Sequence, residues 1–105
     1  MYDRKINPYY ANSSGELVSS QIVNTGVGAL VGVNVITNNT NDATCILYDS
    51  LGTSGTKLYE HVCDVDKEWG KDFLPTVPID YTTGLYLSIS GTGASAIVYY
   101  VDRTP

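Results

Sequence analysis

The chain holds a single histidine, His61, two cysteines, Cys45 and Cys63, and one run of alternating carboxylates, Asp64-x-Asp66-x-Glu68. A general base at His61 would need a nucleophile and an orienting carboxylate, and spacing alone locates neither. No second histidine is available for a zinc site and no Gly-x-Ser-x-Gly elbow occurs. His61, inside an expected strand, therefore reads as a surface or satisfied residue. The carboxylates at 64, 66 and 68 look like part of a calcium loop, but the further oxygen ligands and turn glycine of an EF-hand are missing. They read as a solvated acidic loop. Gly26-x-Gly28-x-x-x-Gly32 misses the dinucleotide fingerprint by one residue and has no strand–helix unit around it, so it marks a turn and then a strand glycine. No catalytic residue, metal site or cofactor is expected.

Cys45 and Cys63 flank an expected hairpin and stand symmetrically about its turn near Ser54-Gly55. A cross-strand disulfide is one reading. Two reduced thiols used as small apolar residues, in a protein made in a cytosol, is the reading preferred. The sequons Asn12-Ser13-Ser14 and Asn38-Asn39-Thr40 matter only for a chain secreted by a eukaryote, a context the sequence does not support.

The enrichment that points to binding is tyrosine, with nine in the chain. Tyr2, Tyr9 and Tyr10 stand beside Arg4 and Lys5, and Pro8 would keep that segment extended. Tyrosine and arginine suit protein interfaces, where a ring adds contact area at low entropy cost and its hydroxyl finds a partner. Tyr2, Arg4, Lys5, Tyr9 and Tyr10 are thus the candidate interface with a neighbouring subunit; the alternative is a lead-in packed on its own domain. Tyr81, Tyr86, Tyr99 and Tyr100 read as half-buried strand residues. Trp69 and Phe73 either anchor the core, the preferred reading, or line a sugar-binding surface.

These residues must be carried by β-structure. Strands are expected at about 17–23, 29–37, 44–49, 57–65, 70–79, 85–90 and 95–101, separated by turn chemistry such as Asn24-Thr25-Gly26 and Asn38 to Asp42. In 79–101, Leu85, Leu87 and Ile89 alternate with Tyr86, Ser88 and Ser90, and Gly91-Thr92-Gly93 leads into a second run, which reads as a β-hairpin. In 29–37, Val31, Val33 and Val35 fall on one face, opposite Leu30, Gly32, Asn34 and Ile36. A short helix over 64–71 is the one helical alternative, and Trp69-Gly70 argues for a loop there. About seven strands with turns every 8–12 residues indicate an all-β fold, an antiparallel β-sandwich or jelly-roll-like barrel. Residues 1–15 form an irregular N-terminal arm and 16–105 a single domain.

Composition agrees. At 105 residues the chain makes one domain with one core. Charged residues are 16%, below the usual ~25%, while helix formers are scarce. The net charge is −5 and the six Lys and Arg are scattered, which disfavours nucleic acid. No apolar run approaches the ~18 residues of a membrane span, and no charged-then-apolar leader is legible, so neither a membrane nor a classical signal peptide is expected.

The succession Gly28-Ala29-Leu30-Val31-Gly32-Val33, Ile46-Leu47-Tyr48-Asp49-Ser50, Gly55-Thr56-Lys57-Leu58, Gly84-Leu85-Tyr86-Leu87 and Ala96-Ile97-Val98-Tyr99-Tyr100 resembles small all-β virion proteins of tailed bacteriophages. These are head-decoration, cement or head-fibre-like proteins. The resemblance spans about residues 20–101 and is a pattern of strands and turns. It implies a β-sandwich on the outside of the virion capsid that is synthesised in the host cytoplasm and bridges major capsid proteins. Such proteins often act as trimers, and no catalytic residue comes with the family. Related modules occur in tails and spikes, so the alternative is a tail-fibre or spike module that binds host carbohydrate.

Overall fold

The computed structural model describes residues 11–104. They form nine strands: β1 (Asn12–Leu17), β2 (Gln21–Thr25), β3 (Gly28–Ile36), β4 (Ala43–Asp49), β5 (Thr56–Cys63), β6 (Gly70–Phe73), β7 (Ile79–Tyr81), β8 (Gly84–Ser90) and β9 (Ser95–Asp102). Every ladder is antiparallel. One sheet has five strands in the order β1-β9-β3-β6, with β7 also on β3; the other has four, in the order β2-β8-β4-β5.

The pairs are nested. β1 joins β9, β2 joins β8, β3 joins β6 and β7, and β4 joins β5. The chain is one long hairpin rolled on itself. With β6 and β7 counted as one interrupted strand, this is the order of an eight-stranded jelly roll. The interruption has a local cause: Pro75 and Pro78 lie between the two pieces and cannot donate to a ladder.

Nine strands replace the expected seven or so because two expected segments are each divided. The 17–23 segment becomes the end of β1 and most of β2, and 70–79 becomes β6 and the start of β7. β1 begins at Asn12, within the segment read as an irregular arm; Asn12 and Ser13 sit opposite Tyr100 and Tyr99, and Ser14-Gly15 form a bulge before pairing resumes at Glu16.

The core lies between the sheets. Leu30, Val33, Val35, Ala96 and Val98 enter from one side, and Cys45, Leu47, Leu85, Leu87 and Ile89 from the other. Each fully buried leucine or valine contributes roughly 1.5–3 kcal/mol by leaving water. In β3 the expected faces hold only in part. Leu30 pairs with Tyr100 and Gly32 with Tyr99, which leaves Val31 as the extra residue of a β-bulge. The bulge shifts the phase, so Leu30 shares the inner face with Val33 and Val35.

The expected hairpin over 79–101 is not one. β8 pairs with β2 and β4, whereas β9 pairs with β1 and β3, so the turn carries the chain from one sheet to the other. Gly91 (φ 115°) and Gly93 (φ 73°) make that turn, and a Cβ on Gly91 would collide with the Asp42 carbonyl. The alternation had correctly assigned Leu85, Leu87 and Ile89 to the inside. Period two names an inward face; it does not name the neighbouring strand.

Candidate functional site

β5 is an edge strand of the four-stranded sheet, and its residues Tyr59, His61 and Cys63 alternate toward the interior. The link from β5 to β6 then doubles back. The Asp64 carbonyl accepts the N–H groups of Lys67 and Glu68, at 2.8 and 2.9 Å. Asp64 Oδ1 accepts the Asp66 N–H and Asp42 Oδ1 accepts the Val65 N–H, both at 3.0 Å. This tight turn swings Glu68 over the strand it has just left, and Glu68 Oε2 lies 2.6 Å from His61 Nε2.

Cys63 completes the cluster. The ligand-type atoms of His61, Cys63 and Glu68 lie within 4.8 Å of one another. The thiol is fully buried, while the imidazole and carboxylate are 26% and 30% exposed. The acidic run is therefore divided in its duties: Asp64 builds the turn, and Glu68 faces the histidine. Among the described residues the three carboxylates do not converge on one point.

Aromatic rings seal the same edge. Tyr59 stacks on Phe73 of β6 with centroids 4.2 Å apart and rings 19° from parallel, and it approaches His61 at 6.4 Å. The Tyr59 hydroxyl is buried without a hydrogen-bond partner. Burial pushes this phenol up to about 12, with Cys45, Cys63 and Glu68 adding to the rise. Burial raises the Cys63 thiol too; Glu68 adds to that and Lys71 works against it. Cys45, buried and near Cys63, is pushed up to about 12.

These electrostatics limit the chemistry. A nucleophilic cysteine needs an accessible thiolate, and Cys63 is neither accessible nor stabilised as one. His61 and Glu68 form a close imidazole–carboxylate pair beside the buried Cys63 thiol. Imidazole nitrogen, thiol sulfur and carboxylate oxygen are, however, three of the donor types that zinc takes.

The remaining expected positions separate cleanly. Tyr2, Arg4, Lys5, Tyr9 and Tyr10 lie outside the described residues. Cys45 faces His61 and Cys63 faces Ala43 across the β4–β5 ladder, so the cysteines are diagonal rather than opposite, and both are free. Phe73 packs against the core as preferred, but Trp69 does not: it is 69% exposed. Its backbone is nonetheless fixed, because the Thr37 hydroxyl donates to the Trp69 carbonyl at 2.6 Å. Of the four strand tyrosines, Tyr86, Tyr99 and Tyr100 are half-buried and Tyr81 is wholly buried. Gly28 sits where Tyr81 passes: a Cβ there would strike the Tyr81 hydroxyl and the Val101 carbonyl. Glycine is needed at 28 for packing.

Two sites escaped the sequence reading. One is Asp49, whose carboxylate accepts the N–H groups of Thr82, Thr83 and Gly84 and ties the end of β4 to the β7–β8 turn. Nothing in the sequence spacing signals that contact. The other is the His61 cluster, for which a signal did exist. His61-x-Cys63 puts both side chains on one face of a strand, and a turn-rich link brings the next acidic residues back within reach. No protein-family model matches the chain, and neither a curated protein nor a solved structure matches it.

Proposed function

We propose that this protein is a structural virion component, a cement or decoration protein that binds the outer surface of a phage's major capsid shell and stabilises it. The observation that carries the reading is the rolled-hairpin strand order, because the jelly roll is the architecture of many viral capsid domains and lectins. A fold carries no activity by itself. Two further features support this choice. The chain is poor in charge, with 16% charged residues. In addition, β1 is an edge strand whose outer side pairs with no other described strand, and the Tyr2–Tyr10 segment leads directly into it. An open edge invites pairing with a neighbour, and a homo-oligomer, a trimer by resemblance, would cover it. Copy number then multiplies weak contacts into firm binding.

The test is made on purified particles. Cement predicts stoichiometric copies on the head, and particles lacking the protein should release DNA at a lower temperature. Equal release temperatures and equal infectivity without it would refute the role.

One observation favours a second reading, a tail-fibre or spike module for host carbohydrate. Trp69 projects its indole into solvent from an anchored backbone, and an exposed ring is a flat apolar plate for a sugar face. Glycan binding lost on Trp69→Ala, with the protein located on the tail, would favour this reading over cement.

A further inference from the structure

We propose that His61, Cys63 and Glu68 form a binding site for a zinc-type divalent cation that ties the β5–β6 link to the β5 edge. Three observations converge on it. The donor atoms already lie within 4.8 Å of one another, with His61 Nε2 and Glu68 Oε2 at 2.6 Å. Around tetrahedral zinc, with bonds of about 2.0–2.3 Å, neighbouring donors stand about 3.3–3.6 Å apart. The pair must open slightly and the thiol must approach slightly, movements of about an ångström or less for each donor.

The ligands are also held unequally, in a useful way. Cys63 is locked in the core on a paired strand, whereas Glu68 comes from a turn and is the donor free to adjust. The donor set then chooses the ion. A thiolate with an imidazole suits zinc and related soft or borderline ions, while calcium and magnesium require oxygen cages. Water fills the fourth position.

Binding balances as a proton exchange. Cys63 loses its thiol proton to solvent as the sulfur–metal bond forms. His61 turns the Nε2 lone pair to the ion, and a proton on that nitrogen moves to Nδ1 or to solvent.

Tag-free protein stripped with a chelator is titrated with Co2+ as an optical probe and then with Zn2+. One equivalent of Co2+ should give a near-ultraviolet thiolate-to-metal band and tetrahedral visible bands, and Zn2+ should abolish both. Zinc at a hundredfold excess over its Kd should raise the Tm by roughly 10 °C or more. Cys45→Ala should keep the signal, whereas Cys63→Ala, His61→Gln and Glu68→Gln should each weaken binding at least tenfold. Glu68 is partly exposed, so Glu68→Gln keeps the fold even where loss of the buried thiol does not. No thiolate band at equimolar Co2+, a band that survives Cys63→Ala, or unchanged Co2+ affinity in folded Glu68→Gln would each overturn the site.

Discussion

Asn24 on one sheet donates its side-chain amide to the Tyr81 hydroxyl on the other, 2.7 Å away. The bond joins the edge strand β2 to β7, and it lets a large phenol sit wholly buried in an apolar interior. Gly28, directly opposite Tyr81 in the β3–β7 ladder, supplies the room. Tyr81→Phe leaves the amide unpartnered and should lower stability by about 1–2 kcal/mol in urea unfolding. Gly28→Ala forces ring or backbone aside and should cost at least as much, about 1–3 kcal/mol. A Gly28→Ala protein with an unchanged urea midpoint would show that the phenol has another place to go.

Asp49 should make the fold acid-sensitive. Burial alone would raise its carboxyl, but the N–H groups of Thr83, Thr82 and Gly84 and the Thr82 hydroxyl outweigh it and hold the group below its ordinary 3.8. In acid the unfolded chain therefore binds the proton more readily. The contribution is complete above the ordinary value and drains away as pH falls through the folded one. Asp49→Asn should have a lower urea midpoint than the native protein at pH 7, and the gap should narrow from about pH 4 downward. A gap that stays constant with pH would mean that the charge of Asp49 is irrelevant to its grip.

The two thiols should behave as core, not as a redox couple. Reductant should leave the Tm unchanged, because both cysteines are free and sit diagonally across the β4–β5 ladder. An aromatic disulfide reagent at mildly alkaline pH should label neither in the native protein and both in urea, since burial keeps each thiol protonated and out of reach. Rapid native labelling of Cys63 would mean that the β5 edge opens readily.

Trp69 and Phe73 should part company on truncation. Trp69→Ala removes an exposed ring and should move stability by no more than about 0.5 kcal/mol. Phe73→Ala breaks the stack on Tyr59 and should cost about 2 kcal/mol or more. Since Trp69 is the sole tryptophan, fluorescence excited at the red edge, where tyrosine does not absorb, reports this loop alone; its emission should be that of a solvated indole and open to iodide quenching. Blue-shifted, protected emission would place the ring against a surface.

The all-β class, the apolar face of β8 and most strand positions were legible because alternation and turn chemistry are local properties. What was not legible depends on contacts between distant segments. Val31 looks like any inward valine until its partner strand skips it. Gly91 and Gly93 announce a turn, but whether the chain returns beside itself or crosses the core is decided by which strands already occupy the neighbouring places. Glu68 reads as one of three solvated carboxylates until the Asp64 turn aims it at His61. Trp69 reads as core by its type alone, and only the anchor at Thr37 reveals a backbone held while the ring points out.

The nesting of the strands also sets an order of events. β9 is the last described strand to leave the ribosome, yet it occupies the middle of its sheet, between β1 and β3. Until it is made, nothing joins those two strands into one sheet, and Leu30, Val33 and Val35 lack Ala96 and Val98 beside them. Only the β4–β5 hairpin can close early from neighbours in sequence. Such a chain assembles late and slowly, through contacts of long sequence separation. A nonsense mutation anywhere before Ser95 would yield open-edged, aggregation-prone fragments instead of a shortened but working protein.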